Sequence, residues 1–160
     1  MKEHIIGVIS DTHGLLRVEA IEALKGCELI IHSGDIGDLN VLKKLREIAP
    51  VVAVRGNCDK GTWSDELKES EVVEVGDVTI YIIHNIDDLS LDPVATGLRV
   101  VISGHSHKPH NYTRDQVLYL NPGSAGPRRF KLPVSAAVLK ISSNSMAAEL
   151  IHLSDDYPFK

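Results

Sequence analysis

Apolar runs that break off abruptly in polar loops constrain this chain more than any other feature. His4–Ile9 (HIIGVI) has the composition of a buried strand and stops at Ser10-Asp11-Thr12-His13-Gly14. Leu15, Leu16, Val18, Ile21 and Leu24 then recur at helical spacing, which predicts a helix over residues 16–25 that Gly26 stops. The next run, ELIIH over residues 28–32, predicts a second strand and leads into Ser33-Gly34-Asp35. Val41, Leu42, Leu45 and Ile48 mark a second helix, and Pro50 opens a third strand over 51–54. Strand, helix, strand, helix, strand at this spacing predicts a parallel α/β unit.

Beyond Asp59 the pattern changes. Residues 71–75 and 78–83 flank Gly76-Asp77, which predicts a tight hairpin with glycine at its first central position. An apolar strand is expected over 98–103. Short alternating strands follow over 111–114, 117–120, 134–141 and 146–153, with turns on Asp115-Gln116 and on residues 142–145. These point to a second sheet, mixed or antiparallel. With no repeats, no low-complexity segment and no linker long enough to divide it, the chain reads as one domain over residues 1–160. A domain of that length buries roughly 70% of its unfolded surface. Aromatics make up only 4%, so Val, Ile, Leu and Ala must form the core. Residues 155–160 read as a surface tail.

Charge and cysteine content exclude several classes. A formal net charge of −5 argues against stable nucleic-acid binding, which relies on clustered Lys and Arg. A phosphorylated substrate is still compatible, because two bound dications would reverse the local field. Apolar runs fall short of the ~20 residues that cross a bilayer, and the opening one is too short for a signal peptide. A cytoplasmic location without membrane attachment is the expectation. Cys27 and Cys58 are too far apart for a CxxC motif and too few for a disulfide scaffold, so both are expected reduced. Cys27, among apolar neighbours, reads as a small buried hydrophobe.

In open α/β sheets, ligands gather where loops converge at the carboxyl ends of strands. Here those ends carry Asp11-Thr12-His13, Gly34-Asp35, Gly56-Asn57-Cys58-Asp59, His84, and Gly104-His105-Ser106-His107. Each motif alone is weak, since an Asp-x-His triplet or a Gly-Asp pair usually marks a turn or a cap. Five such loops, each placed after an apolar run, form a more specific set. Carboxylate, imidazole and amide groups mix hard oxygen with borderline nitrogen, a donor set suited to divalent transition metals. Without a thiolate among the seven, a closed structural zinc site is not expected.

This ordered series resembles the calcineurin-like metallophosphoesterase superfamily, over residues 5 to about 129. Gly56-Asn57-Cys58-Asp59 and the later Asn121-Pro122-Gly123-Ser124 are similar to its small prokaryotic, YfcE-like phosphodiesterase branch. The resemblance implies an α/β (mixed α+β) fold in which two mixed β-sheets pack as a sandwich flanked by helices. It implies that Asp11, His13 and His107 hold one metal, that Asn57, His84 and His105 hold a second, and that Asp35 bridges them. Such a pair lies ~3.5–4 Å apart and activates water for in-line phosphoryl displacement. Mn²⁺ is the first expectation for the two divalent ions, with Ni²⁺, Zn²⁺, Fe²⁺ and Co²⁺ as alternatives.

The implied substrate is a phosphodiester or other small phosphoester, with Asp35, Asn57, Cys58 and His110 as the catalytic candidates. Many relatives carry His where this chain has Cys58, and a thiol is a poor general acid at neutral pH. The branch often reads His-Gly-His, whereas this chain reads His84-Asn85-Ile86, which removes one substrate contact. Asn57, Cys58, Ser124 and Arg128 are the candidate substrate contacts, because Asn121–Ser124 offers N–H groups and a hydroxyl, and Arg128 or Arg129 can clamp phosphate. His32 and Asp59 read as supporting groups. A homo-oligomer is compatible with the sequence. The rival reading is a catalytically retired scaffold that keeps the fold and binds protein partners. Such a scaffold should have lost one of the seven ligand positions, and none is lost.

Overall fold

The computed structural model describes residues 2–129, 131–143 and 145–153. In chain order the strands are β1 (His4–Ile9), β2 (Leu29–His32), β3 (Val51–Ala53), β4 (Ser70–Val75) and β5 (Val78–Ile83). They continue with β6 (Val100–Ile102), β7 (His110–Arg114), β8 (Val117–Asn121), β9 (Ser135–Ser142) and β10 (Ser145–His152). Two helices, α1 (Val18–Leu24) and α2 (Leu39–Arg46), lie between the first three strands. The expected tail over 155–160 lies outside the described residues.

Helix limits follow local chemistry. Arg17 is still extended, with ψ at 149°, so α1 begins two residues later than its apolar spacing predicts. Lys25 is again extended, and Gly26 turns the chain with φ at 86°. At the start of α2 the Asp38 carboxylate accepts the Asn40 N–H at 2.9 Å, satisfying one donor of the open first turn. Lys43, Lys44 and Arg46 near its other end complement the helix dipole.

The strands form two five-stranded mixed sheets. In the first, ordered β10-β9-β1-β2-β3, the parallel pairs β1–β2 and β2–β3 are those the alternating pattern predicts. The second is ordered β4-β5-β6-β8-β7, and the Gly76-Asp77 turn makes β4–β5 an antiparallel hairpin. One assignment differs from expectation. The last two strands do not extend the second sheet, because β9 pairs antiparallel with β1 and places β10 on the edge of the first. Local pattern shows that a strand exists, but the choice of partner is made by packing between distant segments.

Side-chain alternation then sorts the core into layers. Ile6, Val8, Ile31, Ala137 and Leu139 face Val78, Ile80, Ile82, Val100, Ile102 and Leu120 between the sheets. On the other face of the first sheet, Ile9, Ile30 and Ala136 meet Ala20 and Leu24 of α1 and Val41, Leu42 and Leu45 of α2. Both helices therefore cover one sheet. The outer face of the second sheet carries only a small cluster around Leu98, Val101 and Val117. Cys27 is buried as expected. Among the described residues no helix is long and apolar enough to cross a membrane.

Candidate metal centre

Strands β1, β2 and β3 run parallel in one sheet, and β5 and β6 run parallel in the other, so their following loops gather at one end. The loops are laced together by backbone. Asp11 N–H donates to Gly34 O at 2.9 Å, His13 N–H to Asp35 O at 3.0 Å, and Gly104 N–H to His84 O at 2.9 Å. Two glycines permit this approach. A Cβ on Gly34, whose φ is 107°, would meet the His84 ring, and one on Gly104 would meet the Ser10 hydroxyl and the Asp11 carboxylate.

The side chains converge in two groups that share Asp35. One ligating atom each from Asp11, His13 and His107 lies within 4.8 Å of the others, and the same holds for Asp35, His84 and His105. Asp35 Oδ2 stands 3.2 Å from His84 Nε2 and 3.8 Å from His13 Nε2, between the two groups. Asn57 completes the second, its Oδ1 lying 3.0 Å from His84 Nε2 and 3.2 Å from His105 Nδ1. All seven side chains singled out in the sequence thus meet at one site.

Each carboxylate has one oxygen held and the other free to face the centre. Asp11 Oδ2 accepts from the Ser10 hydroxyl at 2.6 Å and the His105 N–H at 3.1 Å, while Oδ1 points toward His107 and His13. Asp35 Oδ1 accepts the Cys58 N–H at 2.8 Å. The Ser33 carbonyl fixes His84 through Nδ1 at 2.8 Å, turning Nε2 inward, as such partners commonly orient ligating imidazoles. Asp11 Oδ1 and His13 Nε2 are buried without a hydrogen-bond partner among the described residues. Such orphaned acceptors and ring nitrogens are costly unless a cation meets them, so the residues present fit divalent metal ions.

Electrostatics point the same way. Burial pushes the Asp11 carboxyl up, but attraction to the His107 ring 3.4 Å away, the Ser10 hydrogen bond and the charge of His84 prevail and hold it below the ordinary range. Burial likewise opposes ionisation of Asp35, yet bonding to His84 and to the Cys58 N–H brings it down to about 2. His84 is the counterpart: burial alone would lower its pKa, and the Asp35 carboxylate raises it. Both carboxylates are therefore ionised at neutral pH, the state a metal requires of them.

A further shell of residues holds the loops. Asp59 accepts the N–H groups of Gly37 at 2.9 Å and Gly56 at 2.8 Å, orienting the third loop. Fully buried His32 accepts the Gly34 N–H at Nδ1 and meets the Thr12 hydroxyl at Nε2, and burial drives its pKa down to about 4. Asn121 donates to Gly104 O at 3.0 Å and Ser106 Oγ at 3.2 Å. Ser10 and Thr12 were not separable by sequence from ordinary loop residues, and Asn121 was legible only as part of the Asn121–Ser124 turn, not as a brace of the Gly104–His107 loop. For Asn121, its position at the end of β8 beside the end of β6 was the missing signal.

The other candidates occupy distinct positions. Cys58 Sγ joins a third group with His13 and Asp35, so its thiol lines the centre. Burial and the Asp35 charge raise its pKa, with Arg129 acting in the opposite sense, so it stays protonated at neutral pH. Ser124 donates to Asp11 O at 3.1 Å, which commits its hydroxyl to the first loop. Arg128 donates to Lys131 O at 3.1 Å. His110 stands at the start of β7 with its ring 5.2 Å from Tyr112, and it joins none of the three groups of ligating atoms.

Two facing mixed sheets with paired acid–imidazole groups at their strand ends define a two-sheet sandwich with a candidate metal centre. The sequence matches the calcineurin-like phosphoesterase superfamily domain over residues 5–144, and the chain belongs to that superfamily. It is 34% identical to a probable metallophosphoesterase of Methanothermobacter thermautotrophicus, covering 92% of this chain and 91% of that one. It is 27% identical to the phosphodiesterase YfcE of Escherichia coli, over 81% of this chain and 84% of that protein. Vacuolar Protein Sorting 29 from Cryptosporidium parvum superposes with a TM-score of 0.82 at 20% identity, over 96% of this chain and 93% of that one. That last likeness concerns the fold alone.

Proposed function

We propose that this chain is a cytoplasmic phosphodiesterase acting on a small-molecule phosphoester with two divalent ions, Mn²⁺ foremost. The observation that carries this reading is the convergence of two ligand groups on the single Asp35 carboxylate. Asp11, His13 and His107 would hold one ion and Asn57, His84 and His105 the other, with Asp35 shared. Bound ions of this kind supply Lewis acidity and an acidified water at neutral pH. The likeness to the phosphodiesterase YfcE supports the diester preference.

The chain's own residues perform the rest. Fixed by Ser10, Ser33 and Cys58 N–H, the ligands keep their geometry without reorganising during the reaction. Water attacks phosphorus in line, the P–O bond to one alcohol breaks, and that alcohol leaves with a proton. Asn57 and Cys58 line the place where the phosphate would sit. A thiol protonated at neutral pH is no nucleophile, so Cys58 shapes the site and hydrolysis proceeds without a covalent enzyme intermediate. Leaving groups that need no proton, such as p-nitrophenolate, should be the best ones. A retired scaffold would tolerate loss of a ligand, and here all seven side chains converge.

Stripping the metal, reloading with Mn²⁺, Ni²⁺, Zn²⁺ or Fe²⁺ and assaying bis(p-nitrophenyl) phosphate tests the reading. Turnover should return with metal, and Asp35→Asn should lower it at least ~100-fold. Absence of turnover with every metal, or an Asp35→Asn variant as active as the native chain, overturns it.

A further inference from the structure

A hollow of about 790 Å³ opens beside the centre and is lined by Ser106, Lys108, Arg129, Lys131 and Leu132. Its wall begins at Ser106, which lies between His105 and His107. Three of the five described lining residues are cationic, in a chain whose net charge is −5. The side chains of Lys108, Arg129 and Lys131 form no ion pair among the described residues. No carboxylate among the described residues lines this hollow.

Two other hollows differ in this respect. One of about 340 Å³ touches Asn57 and His84, but its Arg55 is paired with Glu69 at 3.5 Å and Asp88 shares the lining. One of about 450 Å³ at the opposite ends of β1 and β9 sets Lys2, His4 and Arg99 against Asp77, and Glu28 holds His4 at 2.8 Å. Cations gathered without counter-charge raise the local concentration of an anion and fix its orientation. Leu132 adds an apolar side chain to the lining.

We propose that this hollow receives a further phosphate group of the same substrate, so that the substrate is a phosphodiester carrying at least one additional phosphate. The inference rests on the phosphodiesterase reading for the group held at the centre. Lys108, Arg129 and Lys131 act as a charge clamp on the non-reacting phosphate and set specificity. Arg128, tied back to Lys131 O, shapes the loop that carries Arg129 and Lys131.

Thymidine 5′-(p-nitrophenyl phosphate), with and without a phosphate on its 3′ hydroxyl, gives a matched pair that differs only in the added anion. On the Mn²⁺-loaded full chain the 3′-phosphorylated ester should show a kcat/KM about tenfold higher at low salt, since exposed ion pairs are individually weak. The gain should shrink as salt screens it, and should fall below about twofold in the Lys108→Ala/Arg129→Ala/Lys131→Ala variant. Equal kcat/KM for the two esters in the native chain, or a gain that survives in the triple variant, overturns the inference. Bis(p-nitrophenyl) phosphate separates the two readings, because its inertness with every metal counts against hydrolysis itself. In that event calorimetric titration with thymidine 3′,5′-bisphosphate and thymidine 5′-monophosphate decides: a bisphosphate preference lost in the variant supports the clamp, and equal affinities overturn it.

Discussion

Asp11, His13, Asp35, His105 and His107 all adopt a positive φ, from 46° to 71°. For a residue with a Cβ this conformation costs about 1–2 kcal/mol. Asp115 and Gln116, at a hairpin turn, are the only other described non-glycine residues that do so. Five strained residues in one centre mean that the surrounding structure, not local preference, sets the geometry of these side chains. The residue types of the centre could be read from sequence because their chemistry is unusual after apolar runs. Their backbone conformations could not, because nothing in Asp-x-His or Gly-Asp separates a strained ligand from a relaxed turn. His32 shows the same division. Its supporting role was legible from its place on a buried strand, but its two hydrogen bonds depend on Thr12 and Gly34 arriving from other loops. Burial lowers its pKa from 6.5 to about 4, so the unfolded chain takes up this proton first as the pH falls. The stability this neutral histidine contributes is complete above pH 6.5 and declines down to about pH 4, by about 3 kcal/mol in total. Urea denaturation of metal-free protein at pH 7, 5.5 and 4 should show that decline. His32→Gln should be less stable at pH 7 and show a shallower slope on acidification. Equal slopes for the two chains would refute the assignment.

At the scale of elements, the hairpins and parallel strands were legible because turn residues and alternation are local signals. The Gly76-Asp77 turn has its positive φ on Gly76, at 56°, as a tight hairpin with glycine first requires. The partner of β9 was not legible, since Ala136, Ala137 and Leu139 would satisfy either sheet. That choice matters to the centre, because β9 flanks β1, whose end carries Asp11 and His13. Asn121 performs a comparable task in the second sheet. Its amide bridges the end of β8 to the Gly104–His107 loop, and its Oδ1 accepts the Gly123 N–H at 2.9 Å. Asn121→Ala leaves buried backbone groups without partners and should cost about 1–3 kcal/mol. Because the loop it holds presents His105 and His107, metal affinity should also fall, by about 10–100-fold as with other groups that orient ligands. Denaturation and Mn²⁺ titration of the same preparation test both effects. A variant that loses stability yet binds Mn²⁺ with native affinity would make Asn121 a fold residue only.

For the whole molecule, the centre is the place where loops from both sheets meet, so a bound ion stabilises the sandwich as well as equipping it for chemistry. The unfolded chain cannot assemble ligands spread from Asp11 to His107, so metal binds the folded state almost alone. At a concentration of 100 times the dissociation constant, one such ion adds about 2.7 kcal/mol. For a chain of this length that raises Tm by roughly 5–10 °C. The gain should depend on pH in a definite direction. His84 has a raised pKa in the metal-free fold, where its proton and the Asp35 carboxylate attract each other. That attraction stabilises the metal-free protein below the ordinary histidine pKa of 6.5 and fades as the pH climbs through the raised value. Metal must displace the same proton, so binding is weakest where the pair is strongest and improves as the proton is lost. Both effects widen the gap between loaded and stripped protein with rising pH. Thermal unfolding with Mn²⁺ or with EDTA between pH 5.5 and 8.5 should therefore show a small difference in Tm at the acid end and a large one at the alkaline end. In His84→Asn, which cannot hold that proton, the difference should be smaller and its dependence on pH weaker. A difference in the native chain that is constant across this range, or greatest at pH 5.5, would show that metal does not compete with the His84–Asp35 pair.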